Sequence, residues 1–543
     1  MRYVFAVIFM VLGVVLGGFG ILQKTVLAPS DTITATADLD SPGPLVVVDP
    51  GMLNLYPGPA RLTVEGTGDV TIAQASKENV DAWVGDTAHT EITGLTSESA
   101  LKAEKSDGKD SAPNPAAADL WTSVQTGAAP QTLDWDQDAG RTAFLIGTDG
   151  KSDAAQQVSI SWQKDAATPW AVPLMVAGGI AFLIGLVLLF MGIRRGRRER
   201  RRRTARQERR RKLAETGAAF AVVPALALAG CGAQSQELPE PSPADKPSTA
   251  TAVIDDGQAE RILHSASEAV AQADSNLSSK TLETRASGPF GALRKKAYAV
   301  KKKAKDVDLP PALAADSITL NYTSATDAWP RVTTLVAEDS DSGQTQLIVL
   351  KQDTARSDYK VWSQSVLLSG SQIPEVNDAR QGSTLLGADA SGLAKTPQDT
   401  VSAYAKALAV GSKSGGEFGD DDYAKQVKKS LEDQKKALAE GNATIDAKYT
   451  PGKNVVAQQT ADGGAVVVGS MTSTRTISPE STGGRSGTLS VPKPQSELVK
   501  ETSTSKKLKT DYAEIVAFVV PKKGGGKPQL IGVTEAMTGA ELT

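Results

Sequence analysis

Residues 170–231 read WAVPLMVAGGIAFLIGLVLLFMGIRRGRRERRRRTARQERRRKLAETGAAFAVVPALALAGC, and the placement of every other part of the chain follows from how this stretch is read. Residues 170–193 carry no charge, and about 20 apolar residues cross a hydrocarbon core of about 30 Å. Trp170 sits at one edge, where an amphipathic ring suits the interface. Arg194, Arg195, Arg197 and Arg198 follow at the other and mark that side as cytoplasmic. Residues 194–213 hold twelve Arg and one Lys against two Glu, a net +11 that leaves −14 for the rest of a chain whose total is −3. Directly after a span, such a block predicts attraction to anionic membrane lipids. No aromatic platform or DNA-binding pattern accompanies it, so nucleic acid is not an expected partner.

Behind this block, residues 218–230 are apolar and end in Leu228-Ala229-Gly230-Cys231. A basic region, a short apolar run and small residues form the layout of an export signal. The run resembles the lipobox of bacterial lipoproteins, which implies acylation of Cys231 and a cut before it. It departs from that pattern in position, because some 230 residues precede it. Cys231 is the only cysteine, so an internal disulfide framework is excluded. Residues 214–231 are therefore expected to be an internal signal, and the Pro/Ser/Glu-rich residues 232–254 a disordered tether.

Residues 1–23 form another apolar run opened by Arg2, long for a cleaved signal, and are expected to be a retained first span with its N-terminus inside. Residues 24–169 then lie outside, 170–193 return, and 194–213 are cytoplasmic. Within 24–169, short alternating runs such as Thr32-Ile33-Thr34-Ala35-Thr36 and Val158-Ser159-Ile160-Ser161-Trp162 are separated by Gly, Pro and Asp-Gly turns. They predict an all-β extracytoplasmic domain, sandwich- or barrel-like, with one short helix over 77–84. Its tryptophans are read as core, not as a sugar-stacking set.

The remainder, 255–390 and 391–543, shows helices followed by strands, twice over. Apolar spacing marks helices around Ile262 to Ala273, Leu293 to Ala304, Pro397 to Leu408 and Tyr423 to Leu438. Strands are expected at 318–322, 332–337, 346–351, 359–368, 444–449, 465–472, 512–520 and 530–534. The fold class is thus a multidomain membrane protein with two transmembrane helices, an outside β-domain and a duplicated α+β region, cystatin- or NTF2-like in element order only.

Within this region Arg285, Gly288, Pro289, Arg294 and Tyr298, together with Trp329-Pro330-Arg331 and Tyr359-Lys360-Val361-Trp362, resemble a domain of unknown function in envelope lipoproteins of high-GC Gram-positive bacteria. The resemblance implies an actinobacterial envelope lipoprotein and supplies no catalytic residues. Arg285, Arg294 and Tyr298 are the candidate binding residues.

Chemistry is otherwise sparse. His89 and His264 are the only histidines, too few for a zinc site or a His-based triad. No G-x-S-x-G elbow or phosphate loop occurs. Glu417, Asp420, Asp421 and Asp422 form the densest carboxylate cluster but lack the spacing of a calcium loop, and the aspartates suit the N-terminus of a helix. No cofactor, metal or catalytic residue is expected. The expected role is a non-catalytic cell-envelope protein, with residues 24–169 and 232–543 extracytoplasmic, that binds an envelope protein, glycolipid or wall polymer. The alternative is an envelope-modifying hydrolase using carboxylates in an α+β cleft. A natural fusion of two genes, one for a membrane protein and one for a lipoprotein, is a further origin to consider.

Overall fold

The computed structural model describes residues 2–27, 31–136, 140–163, 168–200, 238–246, 250, 252–375, 382–409, 416–481 and 487–543. The lipobox residues Leu228, Ala229, Gly230 and Cys231, the arginine block beyond Arg200 and the first part of the tether lie outside the described residues.

The first half contains helices α1 (Arg2–Lys24), α2 (Lys77–Val84) and α3 (Ala171–Arg200). Both α1 and α3 are long and apolar enough to cross a bilayer, over Val4–Lys24 and Ala171–Arg194. They pack antiparallel: Gly20 meets Ala171 and Met175, Gly13 meets Gly178 and Phe182, and Gly185 meets Met10 and Ala6. A Cβ on Gly178 would stand 2.4 Å from the Gly17 nitrogen, so this approach requires glycine. Val11, Val14, Val15, Ile180, Leu183 and Phe190 face outward and are exposed, an apolar collar that water would penalise. The helix α3 continues through the first arginines, and the Arg194 guanidinium lies 5.9 Å from the Phe190 ring centre.

Ten strands between Thr32 and Gln163 form one sheet. Its first strand, Thr32–Asp38, pairs antiparallel with its last, Gln157–Gln163, which brings the two ends of the domain together near the helices. The sheet's edge strands, Ser123–Ala128 and Gln131–Trp135, are neighbours in sequence. The Gln125 side-chain amide donates to Gln131 Oε1 at 2.9 Å and to the Thr132 carbonyl at 3.1 Å, so the edges meet and the sheet is nearly a barrel. Inside are Leu62, Val64, Ile72, Phe144, Ile146, Ile160 and Trp162. The Trp162 indole N–H points at the Met52 and Leu53 carbonyls, each at 3.2 Å. A second core lies outside the sheet, where α2 covers Leu45, Val47, Ala73 and Leu145 with Val80, Trp83 and Val84, joined by Trp121. This explains why Leu45–Val48 is apolar throughout: it is buried on both faces.

The second half contains α4 (Asp256–Asn276), α5 (Ser279–Arg285), α6 (Gly288–Lys303), α7 (Pro397–Leu408), α8 (Asp422–Glu440) and the short α9 (Gln495–Val499). The helix-then-strand order occurs twice, but the two sets of strands join one ten-stranded sheet. Strand Lys360–Leu367 of the first set pairs with Gln529–Leu542 of the second at Val366 and Val533. The helices α4 and α6 pack on Val466, Val468, Ile515, Ala517 and Ile531 of the second set. On the opposite face, α7 and α8 pack on Val467, Val516 and Phe518. The second set is buried on both faces at its centre and serves as the shared middle layer.

Residues 238–246 run without helix or strand along the β-domain. There the Ala244 carbonyl accepts from Arg141 Nη1 at 3.2 Å, and Pro241, Ser242 and Pro243 lie against Gly51.

The glycine contact makes a testable demand. Cysteines at Met10 and Gly185 are expected to form a disulfide under mild oxidation. Gly178→Ile, which forces the helices apart, is expected to abolish it, as read on a non-reducing gel.

Candidate functional site: the junction of the two halves

The two halves meet along α2 and the loop around Asp119. The helix α2 begins after Ser76, whose hydroxyl accepts from the Asn79 N–H, and like any helix it ends with carbonyls that lack intrahelical partners. Arg356 supplies a partner to the Trp83 carbonyl and a second one to the Val84 carbonyl, which also accepts from the Thr87 N–H. Its Nε donates to the Trp83 carbonyl at 2.6 Å, and its Nη2 donates to the Val84 carbonyl at 2.7 Å and to Thr87 Oγ1 at 2.5 Å. A cation at a helix C-terminus also complements the helix dipole. The same guanidinium lies 5.3 Å from the Trp83 ring centre, and neighbouring Ala355 is buried in the Trp83–Trp121 core.

Asp119 is the hub on the other side of this contact. Its carboxylate accepts from both terminal nitrogens of Arg285, with Nη2 to Oδ1 at 3.3 Å, and from the Tyr359 N–H at 2.8 Å. The ion-paired side chains are only 13% and 10% exposed. Arg285 is held in turn by the Ser265 hydroxyl at 3.0 Å and the Tyr359 carbonyl at 3.3 Å. Arg261 donates to the Trp121 and Thr122 carbonyls, Gln258 to the Leu120 carbonyl, and Arg331 to Asn79 Oδ1 at 2.8 Å. Four arginines of the second half thus satisfy acceptors of the first.

The structure also accounts for the motif that carried the resemblance. Gly288 has φ +54, and a Cβ there would stand 2.4 Å from Trp362 Cδ1, so glycine is required on both counts. The Ser287 N–H donates to the Val361 carbonyl at 2.9 Å, which seats the turn between α5 and α6 on the strand that contains Trp362. Of the three candidate binding residues, Arg285 reaches Asp119, whereas Arg294 and Tyr298 are buried and face inward. Arg294 binds Asp274 and the Pro311 carbonyl, and the Tyr298 hydroxyl donates to Asp274 Oδ1 at 2.5 Å. They lock α6 to α4 and the following loop.

A second polar centre lies on the face of the sheet beneath α8. Pairing register places Met471, Glu514 and Glu535 in one row, and Tyr449, Ser473 and Tyr512 in the next. Glu514 is fully buried and accepts from the Ser473 hydroxyl at 2.5 Å. Burial, reinforced by the Glu535 charge, pushes its carboxyl up to about 8, which favours the neutral form. Arg475 stacks 4.4 Å from the Tyr512 ring centre and faces Glu535 at 3.5 Å, while the Tyr423 hydroxyl of α8 donates to Glu535 at 3.2 Å. Burial pushes the Tyr449 phenol up to about 12. This is the arrangement that the hydrolase alternative would use, but its acid is sealed beneath α8 and the sheet.

The acidic run before α8 is engaged locally. Asp421 caps the helix by accepting from the Ala424 N–H at 2.9 Å and also accepts from the Tyr404 hydroxyl at 2.7 Å. Asp420 and Asp422 pair with Lys425. Among the described residues, no group of three or more His, Cys, Asp or Glu side chains is placed to hold a metal ion. Asp119, Asn79, Arg261 and Arg356 had no signal in the sequence, since each sits in an ordinary polar context and acquires its role only across the junction.

Two outcomes are expected. With a protease site inserted between residues 232 and 237 of the full chain, the cut halves stay associated in detergent. Asp119→Ala leaves Arg285 buried without its carboxylate, costs about 3–5 kcal/mol and lets them separate on a sizing column. Glu514 has a folded-state pKa above its ordinary value of 4.5, so its stabilising contribution is complete below that value and is lost as pH rises through about 8. The melting temperature should fall between pH 5 and pH 9, and Glu514→Gln should flatten that slope and raise the pH 9 value by about 5 °C.

No curated protein and no solved structure matches the chain. Residues 250–542 match the family described as a domain of unknown function, DUF8094, which begins at the tether's end and takes in Arg261, Arg285, Arg331 and Arg356. The match covers more than half of the chain, which therefore belongs to the DUF8094 family.

Proposed function

We propose that this chain is a non-catalytic envelope protein, anchored by α1 and α3, whose exported DUF8094 region is held on the outer β-domain and together with it binds an envelope partner. The observation that carries this reading is the Asp119–Arg285–Tyr359 junction. If α1 and α3 span, residues 31–163 lie on one side of the membrane and the arginines after Ile193 on the other. A DUF8094 region docked on the β-domain must share its side, so the chain has to return between residues 200 and 238. The apolar run 218–230 before Cys231 is the sequence available for that return, which supports its reading as an export signal. Cleavage before Cys231 would leave two chains, and the junction supplies the non-covalent means of keeping them together.

The partner class is a protein, glycolipid or wall polymer, with the arginine block favouring anionic membrane lipids on the inner side. The cystatin- or NTF2-like outline belongs to this proposal as an analogy of element order, and lipid attachment at Cys231 would make the second chain a lipoprotein. The hydrolase alternative would need substrate to reach Glu514 beside Glu535, and burial of Glu514 weighs against it.

The test is the size and acylation of a C-terminally tagged product in membrane fractions, with and without inhibition of the lipoprotein signal peptidase. A lipid-carrying fragment of roughly half the full mass that disappears on inhibition supports the reading, since a cut at the signal divides the chain there. One full-length, unacylated species would overturn the export-and-cleavage part of it.

A further inference from the structure

Arg331 opens the strand Arg331–Asp339 at the junction and is 3% exposed. Its Nη2 donates to Asn79 Oδ1 at 2.8 Å, and its guanidinium lies 4.0 Å from the Trp329 ring centre. Its Nε and Nη1 have no hydrogen-bond partner among the described residues. No carboxylate among the described residues forms an ion pair with it, and burial pulls its pKa below the ordinary range. A buried cation is normally paired, because an uncompensated one is strongly destabilising. The other three arginines of the junction each reach a carboxylate or carbonyls; Arg331 reaches only an amide and a ring.

Beside it lies a cavity of about 250 Å³, lined among others by Ser76, Asn79, Arg141, Lys246, Thr326 and Arg331. That volume suits a small molecule of fragment size. Glu78, Asp245 and Asp327 also line it, but Glu78 is paired with Arg141 at 3.1 Å and Asp327 with Lys246 at 3.0 Å, while Asp245 is exposed. The Asp327 charge also acts on Arg331 but forms no ion pair with it, so Arg331 is the buried charge of the lining without a bonded counter-ion. The first turn of the eight-residue α2 borders the cavity as well and adds the positive end of its dipole.

We infer that this cavity is a binding site for a small oxyanion, a molecule with one carboxylate or phosphate head, for which Arg331 is the counter-charge. The walls come from the β-domain, from residues 244–246 and from the DUF8094 region, so the bound anion touches all three and tightens the junction by mass action. This inference rests on the docked arrangement proposed above.

The experiment is thermal unfolding and calorimetric titration of the full chain in detergent, with inorganic phosphate and with acetate, each against chloride at equal ionic strength. The expected result is a saturable rise in melting temperature with one or both probes. Arg331→Gln should weaken binding roughly tenfold or more. Because Arg331→Gln also alters the hydrogen bond to Asn79 across the junction, Asn79→Asp provides a second variant. It places a carboxylate against Arg331, so it should raise the melting temperature without any probe and abolish the response to both. Phosphate acting alone identifies a phosphate head, and acetate acting alone a carboxylate. No saturable response in the wild-type chain, or an undiminished response in Asn79→Asp, overturns the site. Halves cut between residues 232 and 237 that stay together in chloride without any anion effect sink this site alone. Halves that separate at once in chloride and in both probes sink the docked arrangement beneath it.

Discussion

Asp119 lies almost buried between a loop of the β-domain and the turn where α5 gives way to α6, and it accepts three hydrogen bonds from residues more than a hundred positions away. A carboxylate in that setting cannot be left without its arginine, since the surviving charge would be buried and unpaired. The same holds in milder form for the last carbonyls of α2, which Arg356 satisfies, and for the carbonyls of residues 120–122 held by Gln258 and Arg261. Each half therefore presents buried polar groups that only the other half completes, and the apolar patch of Trp83, Trp121 and Ala355 fills the space between them.

This complementarity constrains topology as well as stability. A helix pair closed on glycines places the β-domain at one end and the arginines at the other. A junction built from one buried ion pair and several arginine–carbonyl hydrogen bonds then ties the DUF8094 region to the β-domain. Residues 238–246 lie along that domain, with the Ala244 carbonyl on Arg141 and Pro241 to Pro243 against Gly51. In the function proposed above, this contact and the junction are what call for an export step in the short apolar run before Cys231.

Much of the architecture was legible in the sequence because it is periodic. The helix over 77–84 has an N-cap serine and an apolar face, and the alternating strand at 158–162 buries one face. What escaped was of two kinds. Two strands of the second set run past their expected ends at 472 and 534, to Pro479 and Leu542, because Arg475 and Glu535 continue the inward face with ionisable residues that sequence patterning assigns to solvent. Joining of the two strand sets at Val366 and Val533 was likewise invisible, since nothing local marks an edge that will be paired. The site was half legible: Arg285, Arg331 and Tyr359 were singled out by resemblance, while Asp119 and Asn79 look like any loop or helix-surface residue until the second half arrives.

The most direct test of the central claim, that the β-domain and the DUF8094 region share one side of the membrane, is thiol labelling in intact cells. Single cysteines would replace the exposed Ser97 of the β-domain and the exposed Ser342 of the DUF8094 region, each probed with a small membrane-impermeant maleimide. The account predicts that both positions label before the cells are lysed. Labelling at Ser97 alone, with the Ser342 position reached only after lysis, would contradict it.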